Sequence, residues 1–163
     1  MEIETTRFGK ILIEEDKIIT FVRSILGFPS VKRFVLIPHR KDSPFMWLQS
    51  LERPDLAFVV IPPGLFLADY VFDLPDSVQK DLEMERPQQA LVLVLVSISR
   101  ENQKPRVTAN LLGPIVINTD KRLASQVVLN PNKYPVQFPL ANPKPVPAKE
   151  NLEDILQQAA NCR

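Results

Sequence analysis

The 163-residue sequence contains only one cysteine, one histidine and four glycines. A single cysteine, Cys162, cannot form a disulfide within the chain and leaves no CxxC-type metal site. Neither a GxGxxG motif nor a P-loop is present to hold a phosphate group. His39 has no serine or cysteine directly beside it, so no nucleophile–base pair is visible locally. We therefore expect no catalytic residues, no metal site and no cofactor.

Long apolar runs and a strong net charge are also missing. No apolar run approaches the ~20 residues that a transmembrane helix needs, and the acidic start, Met1-Glu2-Ile3-Glu4, does not resemble a secretory signal. A net charge of +1 creates no strong field toward nucleic acid or an acidic membrane, and no coiled-coil heptads indicate an oligomer. We expect a cytoplasmic monomer that contacts neither a membrane nor nucleic acid directly.

Proline is abundant, with 16 residues that divide most of the chain into short pieces. Helices do not tolerate that frequency, whereas short strands joined by turns do. Residues 91–96 are six consecutive aliphatic side chains and are typical of a strand buried on both faces. The pattern predicts a mainly β fold of eight or nine short strands, as a small antiparallel barrel-like or sandwich domain.

Three local predictions follow from the first 90 residues. The apolar runs on either side of the acidic residues 14–16 predict a β-hairpin. The only tryptophan, Trp47, is expected in the core with its indole N–H bonded to a carbonyl. One short helix in the body of the domain should begin at Asp73 or Asp76, whose carboxylates can cap it, and should bury Val78 and Leu82.

The composition changes after Tyr134 and predicts three regions. Residues 1–134 form the β domain, and residues 135–148, with five prolines, form an extended linker. Residues 149–163 form an amphipathic C-terminal helix and tail, with Leu152, Ile155 and Leu156 on one face. We expect this helix to dock on its own domain.

Two stretches could carry a binding function. Residues 100–133 are basic and predict, as one alternative, an RNA- or ribosome-associated β-barrel module, although aromatic side chains for base stacking are missing before Tyr134. The other stretch is acidic and aromatic and contains Asp69, Tyr70, Phe72 and Asp73. Its carboxylates could bind a metal, but turn formation and helix capping explain them equally well. A small barrel with an enzymatic or ligand-binding site assembled from distant residues is a further alternative.

Four segments of the chain, in the same order, resemble the FliW family of flagellar assembly factors. These are residues 8–11 (FGKI), 45–50 (FMWLQS), 56–60 (LAFVV) and 108–118 (TANLLGPIVIN). None of the side chains in the last segment is a nucleophile or a typical metal ligand, so this segment is expected to be architectural.

The resemblance implies a compact β-barrel regulator rather than an enzyme. Members of the family bind flagellin in the cytoplasm and also bind the RNA-binding translational repressor CsrA. When flagellin is secreted, the freed protein sequesters CsrA at a site away from its RNA-binding surface, and flagellin mRNA is translated. On this basis Asp69, Tyr70, Phe72 and Asp73 are the expected contact surface for basic CsrA, with Phe45 as a further partner-contact candidate.

Overall fold

The computed structural model describes residues 1–101 and 104–140, and within these ranges the chain is mainly β. One α-helix, α1 (Asp76–Asp81), and three short 3-10 turns accompany the strands. The strands are β1 (Glu2–Thr5), β2 (Gly9–Leu12), β3 (Ile19–Arg23), β4 (Arg33–Pro38), β5 (Met46–Ser50), β6 (Ala57–Ile61), β7 (Ala90–Glu101), β8 (Lys104–Ala109), β9 (Ile115–Asn118), β10 (Leu123–Gln126) and β11 (Phe138–Pro139). The mainly β prediction is confirmed.

Seven of the strands close into a barrel. Their order is β7-β6-β5-β4-β3-β10-β9, and β9 pairs back onto β7 to complete the circle. All neighbours are antiparallel except β3 and β10, which run parallel. Outside the barrel, β8 and β11 extend from the far end of β7, while β1 and β2 form a separate hairpin. The barrel-like alternative of the sequence prediction is therefore the correct one.

Strand β7 carries apolar side chains on both of its faces, and both faces are covered. Leu91 and Leu93 point into the barrel and pack with the interior residues of the other strands. Val92 and Val94 point outward but are equally buried, because segments outside the barrel cover them. A strand covered on both faces has to be apolar at every position, which confirms the prediction of a buried strand at residues 91–96.

Two of the local predictions are wrong. The acidic residues 14–16 do not close a hairpin, because β2 pairs with β1, and β3 pairs with β4 and β10. Trp47 lies half-buried on the outer face of β5, since Met46 and Leu48 occupy the inner face. Its indole N–H donates to the Nδ1 atom of His39 at 3.1 Å rather than to a carbonyl.

The predicted helix is confirmed, but its predicted side-chain cap is not. In α1, Val78 is buried, and Leu82 is buried directly after the last helical residue. Pro75 holds the N-cap position and no side chain caps the helix, so capping by Asp73 or Asp76 was wrong. The helix lies against the outer side of β7 and β9, where it shares an apolar cluster with Val92 and Val116.

A buried amide fixes α1 to the turn between β9 and β10. The Nδ2 atom of Asn118 donates to the carbonyl of Leu82 at 2.8 Å and to that of Glu83 at 3.2 Å. Its Oδ1 atom accepts from the N–H groups of Asp120 and Lys121. Asn118 is fully buried, and these bonds satisfy both ends of its side chain.

The first residues of the predicted linker lie against the domain. β11 pairs with β8, and the N–H of Leu140 donates to the carbonyl of Val107 at 2.9 Å. The remainder of the linker and the predicted C-terminal helix, residues 141–163, lie outside the described residues.

The basic stretch 100–133 is divided by the fold. Asn118, which precedes Lys121 and Arg122, pairs with Ala90 at the start of β7. Arg100 lies ten positions further along the same strand, a separation of up to about 33 Å at the usual rise per residue. The cations of this stretch therefore do not form one continuous surface.

Candidate functional site

The acidic-aromatic residues 69–73 begin in a turn and continue without regular secondary structure toward α1. The hydroxyl of Tyr70 donates to the carbonyl of Leu111 at 2.7 Å. The ring of Tyr70 meets that of Tyr134 edge-on, with 5.5 Å between ring centroids, and the Tyr134 hydroxyl donates to the carbonyl of Val71 at 2.8 Å. The hydroxyl groups of Tyr70 and Tyr134 thus connect this segment by hydrogen bonds to the loops on the outside of the barrel.

The loop that contains Leu111, whose carbonyl accepts the Tyr70 hydroxyl, is itself held by several hydrogen bonds. Oδ1 of Asn110 accepts from the N–H groups of Leu112 and Gly113 at 3.1 and 3.0 Å, which forms an Asx-type turn. A Cβ atom on Gly113 would lie 2.7 Å from Nε2 of Gln126. That amide donates to the Gly113 carbonyl and accepts from the N–H of Leu26, which links three loops.

The side chains of the segment separate into a packed set and an exposed set. Tyr70 and Phe72 are half-buried, and their rings contact each other with 5.7 Å between centroids. Asp69 and Asp73 are exposed, and Val71, between them, is 74% exposed. Val71 is thus an exposed apolar side chain that lies between two exposed carboxylates in the sequence.

Val71 was missed by sequence reasoning, which selected aromatic and acidic side chains only. Its position midway between Asp69 and Asp73 in the sequence was the available signal.

The negative charge continues beyond the segment. Residues 69–85 contain six acidic side chains, all exposed, and one basic side chain, Lys80. The acidic residues are Asp69, Asp73, Asp76, Asp81, Glu83 and Glu85. The carboxylate of Asp81 is bound by Arg23 at 2.8 Å. We call residues 69–85 the acidic ridge.

Phe45, the fifth predicted contact residue, belongs to an apolar cluster beside the ridge. It is half-buried on the outside of the barrel, in the same cluster as Tyr70, Val59 and Leu65. The structure therefore places Phe45 and Tyr70 in one packed layer, with Asp69 and Asp73 at its exposed side.

Polar side chains elsewhere fix loop geometry. Nε2 of the fully buried Gln49 donates to the carbonyls of Ser50 and Leu56, at 3.0 and 3.1 Å, across the loop between β5 and β6. In this loop Arg53 donates to Asp55 at 3.2 Å, and this hydrogen bond lowers the pKa of the Asp55 carboxyl.

Two further features concern residues 1–101 and 104–140. No group of three or more His, Cys, Asp or Glu side chains in these ranges could hold a metal ion. In the same part of the chain, no helix is long and apolar enough to cross a membrane.

Comparison with known proteins assigns the family. The family model for the FliW protein matches residues 2–140. The chain belongs to the FliW family. The flagellar assembly factor FliW of Natranaerobius thermophilus is 39% identical over 142 residues, which cover 87% of this chain and 93% of that protein. The FliW of Bacillus subtilis strain 168 is 38% identical over 140 residues, which cover 86% and 96% of the two chains.

A solved structure supports the same assignment. A crystal structure of the flagellar assembly factor FliW matches with a TM-score of 0.77 and 35% identity, and covers 92% of this chain and all of the other. Two of the four FliW-like segments contain the loop contacts described above. Gln49 lies in residues 45–50, while Asn110 and Gly113 lie in residues 108–118. The resemblance thus includes positions that fix the loops around the barrel.

Proposed function

We propose that this protein is a flagellar assembly factor that binds flagellin and the translational repressor CsrA in the cytoplasm. It acts as a monomer and without catalysis, through a partner switch. While flagellin occupies the protein, CsrA represses flagellin mRNA. When flagellin is secreted, the freed protein captures CsrA and translation resumes. Membership of a family whose curated relatives are named flagellar assembly factors supports this proposal.

The acidic ridge is the proposed contact surface for CsrA. The observation that carries this assignment is the exposure of Val71 between Asp69 and Asp73. Charges at the rim of an interface steer a basic partner, and apolar or aromatic groups inside it supply most of the affinity. Tyr70, Phe72 and Phe45 form the half-buried layer beneath and beside this contact.

Charge reversal tests the assignment. We expect the double variant Asp69→Lys/Asp73→Lys to bind CsrA roughly tenfold or more weakly, because repulsion replaces attraction at the rim. Calorimetry would give the affinity, and its salt dependence should be smaller than that of the wild type.

The matched control is Glu14→Lys/Asp16→Lys. It makes the same change in net charge at exposed positions outside the ridge. The control should bind CsrA normally. If both double variants lose affinity equally, net charge alone accounts for the effect. If a folded Asp69→Lys/Asp73→Lys protein binds CsrA with wild-type affinity, the ridge is not the contact surface.

A further inference from the structure

Three separate parts of the chain form a cluster of cations and aromatic rings on the outside of the barrel. The guanidinium carbon of Arg7, in the turn between β1 and β2, lies 4.2 Å from the centroid of the Trp47 ring. Phe8 meets the same ring edge-on, with 5.9 Å between centroids. His39, which directly follows β4, accepts the indole N–H of Trp47 through its Nδ1 atom. We call Arg7, Phe8, His39 and Trp47 the tryptophan cluster.

The outward-facing polar groups of this cluster are donors. Because Nδ1 of His39 accepts a hydrogen bond, the neutral ring carries its proton on Nε2. Arg7 is exposed and forms no ion pair with any carboxylate among the described residues. Its guanidinium lies over the Trp47 ring, and a guanidinium in such a position can still donate N–H groups to a ligand.

The surrounding surface is also positive. Arg40 and Lys41 are exposed beside His39, and Asp42 is the only acidic residue in the loop between β4 and β5. In the barrel order, one strand separates β5 from β7, and two strands separate β4 from β9. Trp47 of the cluster belongs to β5, whereas α1 of the acidic ridge packs on β7 and β9.

We propose that the tryptophan cluster binds an acidic peptide segment of a partner protein. The edge of Arg7 forms paired hydrogen bonds with one carboxylate, since guanidinium and carboxylate match in geometry. The next carboxylates along the peptide bind to the Nε2–H group of His39 and to the cations Arg40 and Lys41.

Single-stranded RNA fits this surface less well. Binding of bases requires an open aromatic face for stacking. In the tryptophan cluster, Arg7 already covers one face of the Trp47 ring, while Phe8 and His39 also pack against it. The observations therefore favour a carboxylate ligand over a base.

The only tryptophan of the protein reports on the site directly. We expect an acetylated and amidated hexapeptide of alternating Asp and Glu to change the Trp47 emission in a saturable manner. Arg7→Gln should weaken binding roughly tenfold, because the charged, paired contact is lost. Arg40→Ala should weaken it less, and the control Lys133→Ala, a cation elsewhere on the surface, should bind like the wild type.

Several results would overturn the proposal. One is the absence of both a saturable emission change and measurable heat in calorimetry at peptide concentrations up to about 1 mM. At that concentration a complex with a Kd of about 1 mM would be half-formed. Another is wild-type affinity in both Arg7→Gln and Arg40→Ala. A third is oligouridine binding more tightly than the peptide at equal ionic strength, which would assign the cluster to RNA. Circular dichroism of each variant checks its folding.

Discussion

Tyr70 combines a structural role with a position on the candidate contact surface. Its hydroxyl closes a 2.7 Å hydrogen bond to the carbonyl of Leu111, and its ring packs against Phe72 and Tyr134. The ring and the hydroxyl can be separated experimentally, because phenylalanine retains the ring packing and removes only the hydrogen bond.

We expect Tyr70→Phe to lower the free energy of unfolding by about 1 kcal/mol, the usual net value of such a hydrogen bond. Urea denaturation measures this change, and an unchanged slope would show that the denatured state is unaffected. Tyr134→Phe is the matched control: its hydroxyl bond to Val71 is solvent-exposed, so the loss should be smaller. Equal stability of Tyr70→Phe and the wild type would contradict a structural role for the hydroxyl.

The loop around Gly113 is held by contacts with other elements in addition to its own turn at Asn110. Gln126 of β10 donates to the Gly113 carbonyl at 3.0 Å and accepts from Leu26 at 2.9 Å. Any Cβ atom at position 113 would displace this amide, since the two would be 2.7 Å apart. A larger residue at this position would therefore have to move the end of the Gln126 side chain away from its two hydrogen bonds.

A double-mutant cycle tests that statement. Gly113→Ala should destabilise the wild type by about 1 kcal/mol or more, through the loss of both Gln126 hydrogen bonds. In a Gln126→Ala background the same change should be nearly neutral or slightly stabilising, because alanine restricts the unfolded chain. Denaturation of the four proteins gives the coupling energy. Equal costs in the two backgrounds would show that the contact is unimportant.

Elements that depend on local chemistry could be predicted from the sequence. Proline spacing and apolar runs locate the strands, and the six aliphatic residues 91–96 identify the strand that is covered on both faces. Pairing depends on distant partners and was harder to predict: β2 turns back to β1 instead of joining β3. The side of β5 that faces the core was also misjudged for Trp47, because Met46 and Leu48 fill the interior.

The two candidate surfaces also differ in how well they can be predicted from the sequence. The acidic ridge is continuous in sequence, so composition alone drew attention to its first residues. The tryptophan cluster joins residues 7, 8, 39 and 47, which only the packing of the β1–β2 turn beside β5 brings together. No short motif signals such a cluster, and the lone histidine looked like an ordinary surface residue.

At the scale of the whole molecule, the described residues include local groups of like charge although the net charge of the chain is only +1. Residues 69–85 present six carboxylates near β7 and β9, whereas Arg7, Arg40 and Lys41 lie near β4 and β5. The two groups are attached to different strands of the closed barrel. This arrangement suits a protein that recognises partners of different chemistry without a cofactor.

The measurement that tests the central claim most directly is a calorimetric titration of the full chain with CsrA, performed with and without saturating flagellin. We expect CsrA to bind the free protein and to bind the flagellin-loaded protein much more weakly. The reason is that flagellin and CsrA draw on a single pool of this protein. Binding of CsrA with equal affinity in both titrations, or no binding of either partner, would contradict the proposed partner switch.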